Sequence, residues 1–165
     1  GGDKVREILF RGFHVDNNGK QKAYVDGKWV NGEWVYGYLG KHTSLDAMIL
    51  DRPYIDSCGG IDALNIWEVN PATIGQYIGI QDKGGEKIFE GDIVKAWSQG
   101  SYGIFEVRWR EDGGGAPMYI LYPAWQNGEM WHISATREDD GKVYDRGLEV
   151  IGNIYDSIKS PTKND

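Results

Sequence analysis

A mainly β fold is predicted by three observations. The chain holds 24 glycines and its aromatic content reaches 13%, a composition suited to tight turns between short, well-filled strands. Apolar residues tend to recur at every second position in brief runs, the period of a strand. Pairs such as Asp26-Gly27, Asn31-Gly32 and Asn127-Gly128 supply positive φ at low cost between those runs and so mark hairpins. At 165 residues the chain suits one domain, or two small ones sharing a core. That length buries a core without cross-links.

The first strand is expected over residues 5–13, VREILFRGF, where Val5, Glu7 and Leu9 alternate with Arg6, Ile8 and Phe10. Asn17-Asn18-Gly19 turns the chain. Turns at Asp26-Gly27, Asn31-Gly32 and Gly37 then separate the pieces AYV, KWV and EWVY. The echo of WVNG (29–32) in WVYG (34–37) reads as a local duplication that lengthens a hairpin. Residues 43–50, TSLDAMIL, are the best helical stretch, with Thr43 or Ser44 as N-cap and Asp51-Arg52-Pro53 as terminator. A loop at 57–60 precedes a strand over 64–69, stopped by Asn70-Pro71. From 77 onward strand signals dominate: 77–81, a turn at 82–86, an arm at 88–89, a corner at Glu90-Gly91-Asp92, and a strand over 93–97. After a loop at 98–103, residues 104–109 form the clearest strand, with Phe105, Val107 and Trp109 on one face and Glu106 and Arg108 on the other. Residues 111–117, with Gly113-Gly114-Gly115, read as a flexible loop, and strands at 118–122, 130–134 and 148–155 follow. The polar tail reads as disordered. Short strands at this spacing suggest a small barrel or sandwich.

Composition excludes several functional classes. Apolar runs stay far below the ~20 residues of a membrane helix, so a soluble protein with no membrane contact is expected. The net charge of −7 divides into −2 over residues 1–79 and −5 over 80–165, and neither half has the clustered Lys and Arg of a polyanion binder. A single cysteine, Cys58, excludes an internal disulfide and a cysteine-rich metal site, which fits a reducing, cytoplasmic compartment. No signal-peptide pattern is present, and Gly1-Gly2 without Met reads as a processed end or expression remnant.

The densest chemistry lies in TIGQYIGIQDKGGEKIFEGDIVKAW, residues 73–97. Its Gly-rich character raises a phosphate loop, but every Gly-Lys pair, at 19, 27, 40 and 141, lacks the following Ser or Thr, and no GxGxxG occurs. Asp82, Glu86, Glu90 and Asp92 raise a calcium loop, yet their spacing is not that of an EF-hand and strands flank them. Two corners aiming three strands explain the segment better, with Ile80, Ile88, Ile93 and Trp97 as core. Cys58 with His14, His42 and His132 has the residue types of a nucleophile and base, without a local signature around the thiol. The EDDG run at 138–141 reads as a solvated turn. Neither metal nor cofactor is expected. Aromatic residues Trp34, Tyr36 and Tyr38 fall on one side of a strand, and Trp97, Tyr102 and Trp109 gather around the EGDIV corner. Beside Arg108 and Arg110 such rings suit a peptide or single-stranded nucleic acid. Core packing is the competing explanation, and the acidic balance weighs against nucleic acid unless a local basic patch exists.

Three blocks, REILFRGF, TIGQYIGIQDKGGEKIFEGDIVKAW and LEVIGNIYD, occur in an order that resembles the YopX family of small phage and prophage proteins. The resemblance implies an intracellular, mainly β protein whose later half is an SH3-like barrel, and it implies no established biochemical activity. The expected organisation is a β-rich region with one short helix over 1–72, an SH3-like barrel over 73–157 and a disordered tail over 158–165. The expected role is that of a non-enzymatic accessory module binding a host or phage protein, with Tyr102, Arg108, Arg110 and Trp125 as its surface. Self-association through edge strands is a further expectation. Single-stranded nucleic-acid binding through the aromatic and Arg surface is the alternative.

Overall fold

The computed structural model describes residues 6–111 and 115–156. Val5, Gly113-Gly114 and the tail from 158 lie outside them. The chain divides into two compact units between Gln76 and Tyr77, inside one long strand.

Unit 1 is an antiparallel sheet made from β1 (Phe10–Val15), β2 (Gln21–Val25), β3 (Lys28–His42), β4 (Leu45–Ile55), β5 (Ile61–Glu68) and the start of β6 (Asn70–Gln81). The strand order is β6-β1-β3-β4-β5, with β2 added against the beginning of β3. Val35, Ala47, Ile49 and Val69 form its core, backed by Phe10, Trp67 and Ile74. Full burial of an aliphatic side chain such as Ile49 contributes about 1.5–3 kcal/mol. Phe13 is also buried, edge-on to Trp34 at 5.3 Å, and its backbone N–H donates to the Thr73 hydroxyl at 2.8 Å.

Two expectations for this region are corrected. Residues 43–50 are not helical: Thr43-Ser44 is a two-residue turn between His42 and its partner Leu45, and the rest opens β4. Ala47 and Ile49 are buried while Met48 and Leu50 face the other way, so the period is two and pairing on both sides overrides helix propensity. Asn31-Gly32 and Gly37 are not turns either, because β3 runs through them unbroken. These glycines serve close approach. A Cβ on Gly32 would lie 2.0 Å from the His14 carbonyl oxygen, and one on Gly37 would lie 2.2 Å from that of Leu50. Asp26-Gly27, by contrast, is a true hairpin turn with both residues at positive φ.

Unit 2 contains the end of β6, paired with β7 (Lys87–Phe89) and in parallel with β14 (Val143–Tyr144), which pairs with β13 (Thr136–Arg137). A separate antiparallel sheet has the order β10-β9-β8-β15, from β8 (Asp92–Ser98), β9 (Ser101–Arg110), β10 (Met118–Tyr122) and β15 (Leu148–Asn153). A small hairpin, β11 (Trp125–Gln126) and β12 (Glu129–Met130), turns through Asn127-Gly128. The strand expected over 130–134 is confined to this short arm. The ladder ends at β10 and β15 and does not close, so the described residues form open sheets instead of the hydrogen-bonded barrel expected over 73–157. No helix occurs among the described residues.

Cross-strand register assigns the faces of the larger sheet of unit 2. Val94, Ala96, Phe105, Val107, Leu121 and Leu148 point inward onto Ile78, Ile88 and Trp131. Ile88 and Ile93 are fully buried as expected, and Ile80 packs against the core. Trp97 does not belong to it. Its neighbour Ala96 takes the inward position, which turns the indole outward at 39% exposure. Trp109 alternates inward with Phe105 and Val107 but sits near the strand end, half exposed, edge-on to Tyr119 at 4.9 Å.

Candidate functional site

The outer face of this four-stranded sheet gathers most of the residues with recognition chemistry. A two-residue turn at Gln99-Gly100, both at positive φ, sets Trp97 opposite Tyr102 and Lys95 opposite Ile104. Paired residues of antiparallel strands share a face. The Lys95 ammonium therefore lies over both rings, 4.1 Å from the centre of Tyr102 and 5.2 Å from Trp97. Lys83, from the turn after β6, covers Trp97 from another direction at 4.2 Å and pairs with Glu149 at 3.5 Å. Cation and ring alternate along this row, an arrangement worth about 0.5–1 kcal/mol per contact at exposed sites.

Tyr102, Arg108 and Arg110 occupy the same face of β9 by strand alternation. Tyr102 is exposed. Arg108 is largely committed: its guanidinium lies 3.6 Å over the Tyr122 ring and its Nε bonds the Glu106 carboxylate. That hydrogen bond to Glu106 raises the Arg108 pKa further above its ordinary value. Arg110 donates to the Ala116 carbonyl at 3.0 Å. Trp125 stands apart on β11, 65% exposed, opposite the exposed Met130. Its neighbour Gln126 ties the hairpin to β9: the amide accepts from Ile104 N at 3.1 Å and donates to Ile104 O at 3.2 Å, while Asn127 donates to Tyr102 O at 3.0 Å. On the face itself Lys83, Lys95, Arg108 and Arg110 meet Glu106 and Glu149, a local cationic excess on an acidic chain.

Sequence patterning alone overlooks Lys83, Lys95 and Tyr122. The Lys95-x-Trp97 alternation was visible, but its meaning depends on the tight Gln99-Gly100 turn, which lacks the Asn or Asp that usually advertises one.

The remaining candidates have structural duties. Asp82 is buried and its carboxylate accepts from the backbone N–H groups of Gly84, Glu86 and Val150, all at 2.9 Å. Asp92 accepts from Phe89 N at 2.8 Å. The two acids therefore hold the corners of the segment. Among the described residues no group of three or more His, Cys, Asp or Glu side chains is placed to hold a metal. Cys58 is exposed in the turn after β4, its N–H bonded to Asp56. His42 shares a 2.7 Å hydrogen bond with the Ser44 hydroxyl. His14 Nδ1 donates to the Glu68 carbonyl at 2.7 Å, at the wall of an open polar cleft of about 260 Å³ shared with Asp46 and Asn70. In the EDDG turn, Arg146 bonds both oxygens of Glu138 and lies 3.9 Å over Tyr144, which donates to Asp140. Those contacts lower the pKa of Glu138, through Arg146, and of Asp140, through Tyr144.

The YopX protein family model matches residues 10–159. The chain belongs to the YopX family. The match spans both units, so the cation and aromatic face and the long hairpins of unit 1 lie inside the YopX region. No functionally curated protein matches the chain.

Proposed function

We propose that this YopX-family chain is a non-catalytic interaction module of a phage or prophage, working in the host cytoplasm. It engages an anionic macromolecular partner, in the first instance a host or phage protein, through the outer face of the unit 2 sheet. The observation that carries this reading is the row Lys83, Trp97, Lys95 and Tyr102, where flat rings and ammonium groups alternate on an exposed surface. Aromatic and cationic side chains together favour acidic, flat or extended ligands. A non-catalytic role is supported by the engagement of Asp82 and Asp92 with backbone donors. The phage setting and compartment rest on the family resemblance. Unit 2 is read as an open relative of the SH3-like barrel, its short strands packed on one core.

A second reading, single-stranded nucleic-acid binding, is favoured by the same local cationic excess, since bases stack on rings while Lys and Arg follow the backbone. One experiment separates the two. The chain and its Lys95→Ala/Trp97→Ala variant are used to capture partners from nuclease-treated host lysate, and both are titrated with oligo-dT at low salt. A protein captured by the parent chain and lost by the variant supports the first reading; equal capture by both overturns it. A salt-sensitive oligo-dT complex weakened in the variant supports the second, and the absence of any complex at low salt disposes of it.

A further inference from the structure

We propose that β5 pairs with the β2–β3 hairpin of a second copy of this chain, so that the protein self-associates through the outer edge of unit 1. β5 ends its sheet, hydrogen-bonded to β4 on one side and to no other strand among the described residues. Its sequence, IDALNIWE, contains none of the Lys, Arg or Pro residues with which soluble proteins blunt an edge. Instead Ile61 is 80% and Leu64 60% exposed, with Ile66 and the neighbouring Ile55 also exposed. A long apolar edge of this kind is a template for strand addition.

Charge selects the occupant. Between residues 45 and 68, Asp46, Asp51, Asp56, Asp62 and Glu68 face a single cation, Arg52, so two β5 edges repel each other. The β2–β3 hairpin has the opposite character. Lys20, Lys22 and Lys28 outweigh Asp26 there, and the exposed rings of Tyr24 and Trp29 meet at a tilt of 58° with centres 5.4 Å apart. Laid along β5, Lys22, on the same face as the rings, meets Asp62 or Glu68 while the rings cover Leu64 and Ile66, and Lys28 adds its charge from the other face of the hairpin. The Ala63 N–H, held at 2.8 Å by the side chain of Asp62, becomes available to a partner carbonyl when that side chain turns to a lysine.

The test is sedimentation velocity on the full chain over a concentration series at low and high salt. The expected result is a species heavier than one chain that dissociates as salt rises, and that Leu64→Lys/Ile66→Lys reduces to one chain. Asp62→Lys/Glu68→Lys should weaken association at least ~5-fold, the scale of a cross-strand charge pair. Adding Lys22→Glu/Lys28→Glu in the same chain should restore it. If the apolar variant fails to fold by circular dichroism, mixing the acid-swapped and base-swapped parent chains gives an independent reading. A single chain at every concentration, association untouched by Leu64→Lys/Ile66→Lys, or charge reversal without rescue would each overturn the proposal.

Discussion

Asp82 has the composition of a cation ligand and the geometry of a clasp. Each of its oxygens faces backbone N–H groups, so its negative charge is compensated inside the turn and across to β15. Asp145 is used similarly, accepting from Ser134 N at 2.8 Å and Gly147 N at 2.9 Å. Removing such a carboxylate strands several donors at once in a poorly hydrated place. Asp82→Ala is therefore expected to cost about 3 kcal/mol in urea-unfolding free energy. An unchanged unfolding midpoint would show that the turn holds itself. That Asp82 sits in a turn was legible from Asp-x-Gly-Gly, as the corner at Asp92 was from Glu-Gly-Asp, whereas no sequence pattern assigned Asp145 a role. The burial of these acids was not legible, because Val150 approaches Asp82 from 68 residues away in sequence.

At the scale of elements, side chains finish what the ladders leave open. β10 pairs with β9 over 106–110, and the Gln126 amide continues the edge at Ile104 as a one-residue substitute strand. Gln126→Ala should cost about 1–2 kcal/mol and speed hydrogen exchange at the Ile104 amide. No change in that exchange would mean the hairpin is held elsewhere. The same scale shows where pattern reading succeeds and fails. Asp26-Gly27 and Asn127-Gly128 were legible as hairpins since their φ values suit those residues. The stretch 43–50 was not, because a short apolar run fits either period until its partners, β3 and β5, are known.

At the scale of the whole molecule, acid sensitivity is carried in part by carboxylates with lowered pKa values among the described residues: Asp51 by hydrogen bonds from Asn65 and Arg52, Glu138 by Arg146, and Asp140 by Tyr144. A carboxyl group whose folded pKa lies below its unfolded value stabilises the fold above the unfolded pKa, and that contribution disappears as pH falls through the folded one. The urea midpoint should therefore decline below about pH 4, with Glu138→Gln showing a shallower decline. Identical acid limbs for the two proteins would assign acid sensitivity to other groups. The mainly β class, the family blocks and several turns are determined by the sequence by itself, since they depend on local periodicity and on residues that tolerate positive φ. Tertiary structure alone decided the open sheets, the continuous β3, the outward turn of Trp97 and its place beside Lys83 and Lys95. Those features follow from cross-strand register, which joins residues distant in the chain and fixes whether each alternate side chain meets core or water.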